Sequence, residues 1–199
     1  ELLADELSGL FTGCALGKGG SASIHIRNKM IPHDGFMGTE VPDGLGRAMR
    51  SKAACIAFMG DASVEEGFVL GSEGFAATRK APVLFVCADN DLSIQTKVSV
   101  RRSWKLTDVA RAFGMQAFDI TDDPWLIMHT FRSLRGKLPA FFNIYTCRHL
   151  HHNNMKCDGP PEWDRFQLVK NELDLIGLCA KAGQIELDAK ATMNGVWNR

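Results

Sequence analysis

Most features that would assign a function quickly are missing from this sequence. Its 199 residues hold 23 lysines and arginines against 23 aspartates and glutamates, so no overall field draws the chain to nucleic acid or to an anionic membrane surface. No apolar stretch approaches the roughly 20 residues that span a bilayer, and the first residues lack the basic-then-apolar order of a secretion signal. There is no CxxC pair. Cys14, Cys55, Cys87, Cys147, Cys157 and Cys179 are scattered, and Cys55 and Cys87 lie in apolar runs where a thiol serves as a small core residue. A disulfide scaffold is not indicated, and a reducing, cytoplasmic setting is expected, or a mitochondrial matrix in a eukaryote. No internal repeat and no low-complexity linker interrupts the chain.

What remains is the composition of an ordinary globular protein, 45% apolar and 23% charged, long enough to bury a core without disulfide or metal staples. Leu3, Leu7, Leu10 and Phe11 show helical spacing from the first residues, which predicts a further segment upstream. Two glycine-bearing loops follow, "GKGGSASIH" and "HDGFMG", and then a short helix over 42–51. Residues 53–59 and 82–88 read as strands buried on both faces. A helix over 64–80 separates them, started by a capping box of Ser63 and Glu66.

Further on, "LTDVARAFG" reads as a helix closed by Gly114, "QAFDI" as a strand, "DDPWLIMHTFRSLRG" as a helix and "PAFFNIYT" as a strand. From Trp163 the pattern is helical only, with Phe166, Val169, Leu173 and Ile176 on one face. Alternating strands and helices predict an α/β fold: an open, mainly parallel sheet with helices on both faces. Residues 1–160 form the α/β domain, and 161–199 a helical extension of the same domain.

In such a sheet ligands bind beyond the carboxyl ends of the strands, where helix N-termini present free N–H groups. Asp61 ends the first strand of a strand–helix–strand unit, in "CIAFMGDASVEEGF", and Asn90 ends the second, in "FVCADNDLSIQT". One turn, a helix and a return strand bring the chain back to the same edge, so the two side chains are expected to face one another. A carboxylate and an amide oxygen near a helix N-terminus suit a hard cation that also holds phosphate oxygens. Magnesium diphosphate fits that donor set.

"GDAS", "EEG" and "DND" in this order resemble the thiamine diphosphate motif, a Gly-Asp-Gly followed a helix and a strand later by an Asn-Asn or Asp-Asn pair. Beyond the motif, the chain resembles the α subunits of the 2-oxo acid dehydrogenases of pyruvate and branched-chain type. "TGCALGKGGSASIH" is similar to that family's Gly-Lys-Gly-Gly-Ser-Met-His loop. "HDGFMGTEVPDGLGRAM" is similar to its Gly-Asn-Gly-Ile-Val-Gly segment and Val-Pro helix, and "TCRHLHH" to its Thr-Tyr-Arg-x-x-Gly-His. The likeness runs collinearly from about residue 1 to 180.

The resemblance implies the thiamine-diphosphate-binding fold, with thiamine diphosphate and Mg2+ as cofactors. Asp61 and Asn90 would give side-chain oxygens to the metal and Leu92 its carbonyl. Ala62 and Ser63 would offer N–H groups to the diphosphate, Gly35 and Met37 would approach the aminopyrimidine, and His152 would lie near the phosphates. Ala62 stands for the motif's third glycine, Leu92 and Cys147 for tyrosines and His151 for a glycine. The family's upstream Tyr-Arg phosphate grip precedes the first residue here. The activating glutamate is expected on a β-like partner, in an α2β2 heterotetramer that a lipoyl acyltransferase can join, acting on a small 2-oxo acid. Two alternatives stand beside this reading: a carboligating or split transketolase-like enzyme subunit, and a non-catalytic scaffold that kept the fold.

Other motifs carry less. "GKGGS" lacks P-loop spacing, since Lys18 is followed by glycine. Gly17, Gly19 and Ala22 follow a helical segment, not the strand a dinucleotide fingerprint needs. His149, His151 and His152 beside Cys147 and Cys157 could hold zinc, but no second ligand pair matches them. His33 precedes the Gly35 loop and could equally face the cofactor or lie on the loop surface. Arg101, Arg102 and Lys105 form a small basic cluster in a segment that the resemblance places at the border of the active-site entrance, but a solvated face is the expected reading.

Overall fold

A computed structural model describes residues 36–148 and 159–197. Helix α1 (Glu40–Ser51) buries Val41, Gly44, Leu45 and Ala48, the spacing of one helical face. It stops where Lys52 turns left-handed and donates its N–H to the Ala48 carbonyl. Strand β1 (Cys55–Gly60) leads through a 3-10 turn at Ser63–Glu65 into α2 (Gly67–Arg79), and β2 (Val83–Asp89) returns. A two-residue hairpin, β3 (Leu92–Ser93) with β4 (Thr96–Lys97), precedes the single turn α3 (Val98–Arg101). Then come α4 (Leu106–Ala112), β5 (Gln116–Thr121), α5 (Pro124–Ser133) and β6 (Ala140–Tyr145). A 3-10 turn, Pro161–Trp163, leads to α6 (Arg165–Leu175) and α7 (Cys179–Trp197).

The main sheet is ordered β1-β2-β6-β5 and all its pairs are parallel. One face buries Ala57, Met59, Phe85, Cys87 and Phe141 under α1, α2 and α4. The other buries Leu84, Val86, Ile120 and Phe142 against Leu134 and α5's Ile127. Burying a side chain such as Phe85, Phe141 or Phe142, each at most 1% exposed, is worth about 1.5–3 kcal/mol. Helices on both faces of a parallel sheet are the expected architecture. β2 is buried on both sides as predicted, but β1 is not: Ile56 and Phe58 are exposed, because β1 is an edge of the described sheet and α5 lies over the strands at the opposite end.

One further expectation is corrected. Ser63 and Glu66 do not form a capping box. Ser63 begins the 3-10 turn, Glu66 itself takes the cap position in an extended conformation without a side-chain cap bond, and α2 starts only at Gly67. The tail, helical only in its pattern, holds two helices. Gly177, at φ +75°, ends α6; the Leu178 N–H returns to the Leu173 carbonyl at 2.7 Å and a second helix starts at Cys179. Contacts divide the chain so that Met37–Arg165 form one compact unit, while the residues from Phe166 onward belong to another, where Lys170 and Lys190 both reach Glu186. No described helix is long and apolar enough to cross a membrane.

Candidate functional site

Because the four strands run parallel, their carboxyl ends share one edge. The register pairs Gly60 with Ala88, which sets Asp61 level with Asp89 and puts Asn90 one residue beyond. Asp61 is 3% exposed and Asp89 is buried, while Asn90 is half-buried. The Leu92 N–H donates to Asn90 Oδ1 at 3.3 Å, leaving that oxygen a second lone pair. In the turn after Asp61, the N–H groups of Glu65 and Glu66 close on the carbonyls of Ala62 and Ser63. Those bonds do not use the N–H groups of Ala62 and Ser63.

Two arginines close over this edge. Arg101 Nη2 donates to Asp61 Oδ2 and its Nη1 to Glu65 Oε1 at 2.6 Å. Arg102 Nη1 donates to the Asp61 carbonyl at 3.0 Å and to Glu65 Oε1, its Nη2 lies 3.7 Å from Asp89 Oδ2, and its guanidinium stacks over Trp104. The hairpin aims them: Asp91, left-handed at φ +63°, ties back the Val98 N–H that opens α3. The solvated face expected for Arg101 and Arg102 is therefore wrong, since their side chains are only 13% and 3% exposed. The acids that bury them lie far back in the sequence, so composition alone did not reveal the pairing. Burial pushes the Asp61 carboxyl above its usual range; Arg101 pulls it back and Asp89 pushes it up further.

A cavity of about 550 Å³ opens at the same edge, lined by Asn90, Leu92, Lys97, Arg102, Lys105 and Asn143 among others. Two of these carry buried polar atoms with no hydrogen-bond partner, the Nε donor of Arg102 and the Oδ1 acceptor of Asn143. Buried groups of this kind are costly unless something pairs with them. The Asn143 amide N–H₂ reaches Asp89 at 3.3 Å and Asp119 at 3.1 Å. Burial works against the Asp119 charge, yet hydrogen bonds from Thr107, Asn143 and Tyr145 outweigh it and hold that carboxyl below its usual range. Burial, helped by Asp119, pushes the Tyr145 phenol up. Sequence reading missed this network; its one signal was an asparagine inside the apolar run of "PAFFNIYT".

Of the residues singled out from sequence, Asp61, Ala62, Ser63, Asn90 and Leu92 gather at this edge. Met37 lies in the turn before α1, its side chain about half exposed. That turn adjoins the site, because a Cβ on Gly38 would lie 3.4 Å from the Ser63 carbonyl. Gly35 and His152, with His33, His149 and His151, lie outside the described residues. Cys55 and Cys87 are free thiols, and the Cys147 thiol donates to the Arg148 carbonyl at 3.6 Å. No group of three or more His, Cys, Asp or Glu among the described residues could hold a metal alone. Two side-chain oxygens, a carbonyl and uncommitted N–H groups fit a cation whose remaining ligands are phosphate and water.

The family model of the dehydrogenase E1 component matches residues 3–172. The chain belongs to the dehydrogenase E1 component family. This E1 chain is 36% identical over 124 residues to the pyruvate dehydrogenase E1 component subunit alpha of Rickettsia felis, covering 58% of this chain and 37% of that one. With the somatic, mitochondrial form of the same subunit from Macaca fascicularis it is 30% identical over 194 residues, covering 89% of this chain and 48% of that one. It therefore spans less than half the length of these relatives. Transketolases from Campylobacter jejuni (TM-score 0.52, 19% identity, 56% of this chain, 20% of that one) and Leishmania mexicana (0.54, 13%, 58% and 20%) share its α/β fold.

Proposed function

We propose that this E1 chain is the diphosphate- and magnesium-binding, α-like part of a thiamine diphosphate enzyme that decarboxylates a 2-oxo acid. The fragment left by decarboxylation passes to an acceptor, and the activating glutamate comes from a β-like partner subunit. One observation carries the reading: Asp61 and Asn90 each stand one residue past the carboxyl end of neighbouring parallel strands. When bound, thiamine diphosphate supplies a nucleophilic carbon and an electron sink for decarboxylation.

The chain's own residues bind and orient. Asp61 and Asn90 hold the cation with the Leu92 carbonyl, and the N–H groups of Ala62 and Ser63 meet the diphosphate. Gly35 and Met37 border the aminopyrimidine, and His152 the phosphates. Arg102, Asp89 and Asn143, all buried, form one wall of this edge. The test is an assay of the complete protein assembled with its β-like partner. Release of CO₂ from a 2-oxo acid is expected, coupled to lipoamide acylation. Carbon–carbon bond formation with an added aldehyde instead would make it a carboligase. No turnover with either acceptor, and no cofactor bound, would leave a scaffold.

A further inference from the structure

Arg101 is the feature that the cofactor reading leaves unexplained. Asp61 Oδ2, the oxygen that reading gives to the cation, accepts a hydrogen bond from Arg101 Nη2. One buried carboxylate oxygen cannot serve a guanidinium and a hard divalent cation equally, because both need its lone pairs at close range. The guanidinium is divided between two tasks. Its Nη1 is fixed on Glu65 Oε1 at 2.6 Å, and Glu65 also holds Arg102, so that end stays anchored whatever Asp61 does. Its Nε is buried with no hydrogen-bond partner. Nε and Nη2 together form one edge of the guanidinium, the pair of parallel donors that matches two oxygens of a phosphoryl group. At present one donor of that edge is committed to Asp61 and the other to nothing.

Resting on the cofactor assignment above, we propose that Arg101 exchanges ligands. It competes with the divalent cation for Asp61, and once the cation takes the carboxylate, its Nε/Nη2 edge turns to the diphosphate while Nη1 stays on Glu65. Arg101 is then a diphosphate-binding residue as well as the cation's competitor. The exchange conserves charge pairing: the cation neutralises Asp61 and the diphosphate neutralises the released guanidinium. Arg102 cannot take the role, because its two terminal nitrogens already face Glu65, Asp89 and the Asp61 carbonyl.

The proposal predicts opposite effects on two binding equilibria, read without turnover. In the complete protein with its β-like partner, Mn2+ alone is titrated by electron paramagnetic resonance, and thiamine diphosphate is titrated by calorimetry at saturating Mg2+. Arg101→Gln is expected to bind Mn2+ alone about tenfold more tightly and thiamine diphosphate about tenfold more weakly than the wild type, the weight of one charge-assisted contact in each case. Arg101→Lys keeps the charge but not the fork, so it should bind Mn2+ as the wild type does and the cofactor more weakly. Should Arg101→Gln misfold, the lysine variant alone decides, since unchanged cofactor affinity there removes the fork. Arg101→Gln binding both as the wild type does overturns the exchange while leaving the cofactor reading intact. A wild type that binds neither Mn2+ nor cofactor overturns both.

Discussion

Glu73 shows how much a single residue can carry that its neighbours in sequence do not announce. It sits on α2 between the buried Val69 and Ala76, 1% exposed, with a carboxyl oxygen that has no partner. Burial pushes its carboxyl up to about 8 from 4.5. Nearby, burial first and then the charges of Asp89 and Asp61 push the Cys87 thiol up. Folding therefore keeps a proton on Glu73 that the unfolded chain loses near pH 4.5. The stability this confers is complete below that pH and falls as pH rises toward 8, by about 1.4 kcal/mol per pH unit. Denaturant titrations from pH 5 to pH 8 should show this decline, and Glu73→Gln should remove it, leaving the variant roughly 3 kcal/mol more stable than the wild type at pH 7. Arg102→Met should cost about 3–5 kcal/mol in the same measurement, because it strands buried acids without their counter-charge. A lone acid at a strand end is more often only a cap; Asp61 was legible in the sequence because Asn90 follows it at strand–helix–strand spacing between collinear flanking motifs. Arg102 and Glu73 were not, because burial of a charge depends on residues that sequence spacing does not bring together.

Elements were legible in their order and less so at their joints. Every strand of the main sheet and each helix from α1 to α5, apart from the single turn α3, lies within a few residues of its periodicity, since apolar spacing fixes a face wherever an element packs on a core. Ends depend on local turn chemistry instead. Ser63 sits in a 3-10 turn and caps nothing, so Ser63→Ala should change thermal stability by less than about 0.5 kcal/mol, where loss of a working cap costs typically about 1. Gly38 is the opposite case. Its φ is +85° and a Cβ there would meet Val69 Cγ2 at 2.5 Å. Gly38→Ala should therefore cost at least about 1–2 kcal/mol and loosen the turn before α1 where Gly38 adjoins the Ser63 carbonyl. The hairpin of β3 and β4 went unread because strands of two residues carry no periodicity.

At the scale of the whole molecule, the alternation of strands and helices gave away the α/β class, whereas the position of β6 between β2 and β5 follows from packing that chain order does not encode. That placement brings Asn143 beside Asp89 and Asp119 and makes the cavity wall at the sheet edge. It explains why half of the site was found from motifs and the polar network beside it was not. Zero net charge likewise hides a local arrangement in which Arg101 and Arg102 face Asp61, Glu65 and Asp89. The central claim is that this edge anchors magnesium diphosphate through Asp61. Calorimetry of thiamine diphosphate with Mg2+, on the complete protein and its β-like partner, tests it most directly. Saturable, magnesium-dependent binding that Asp61→Ala abolishes is the predicted result; no saturable binding, or binding that Asp61→Ala leaves unchanged, would contradict it.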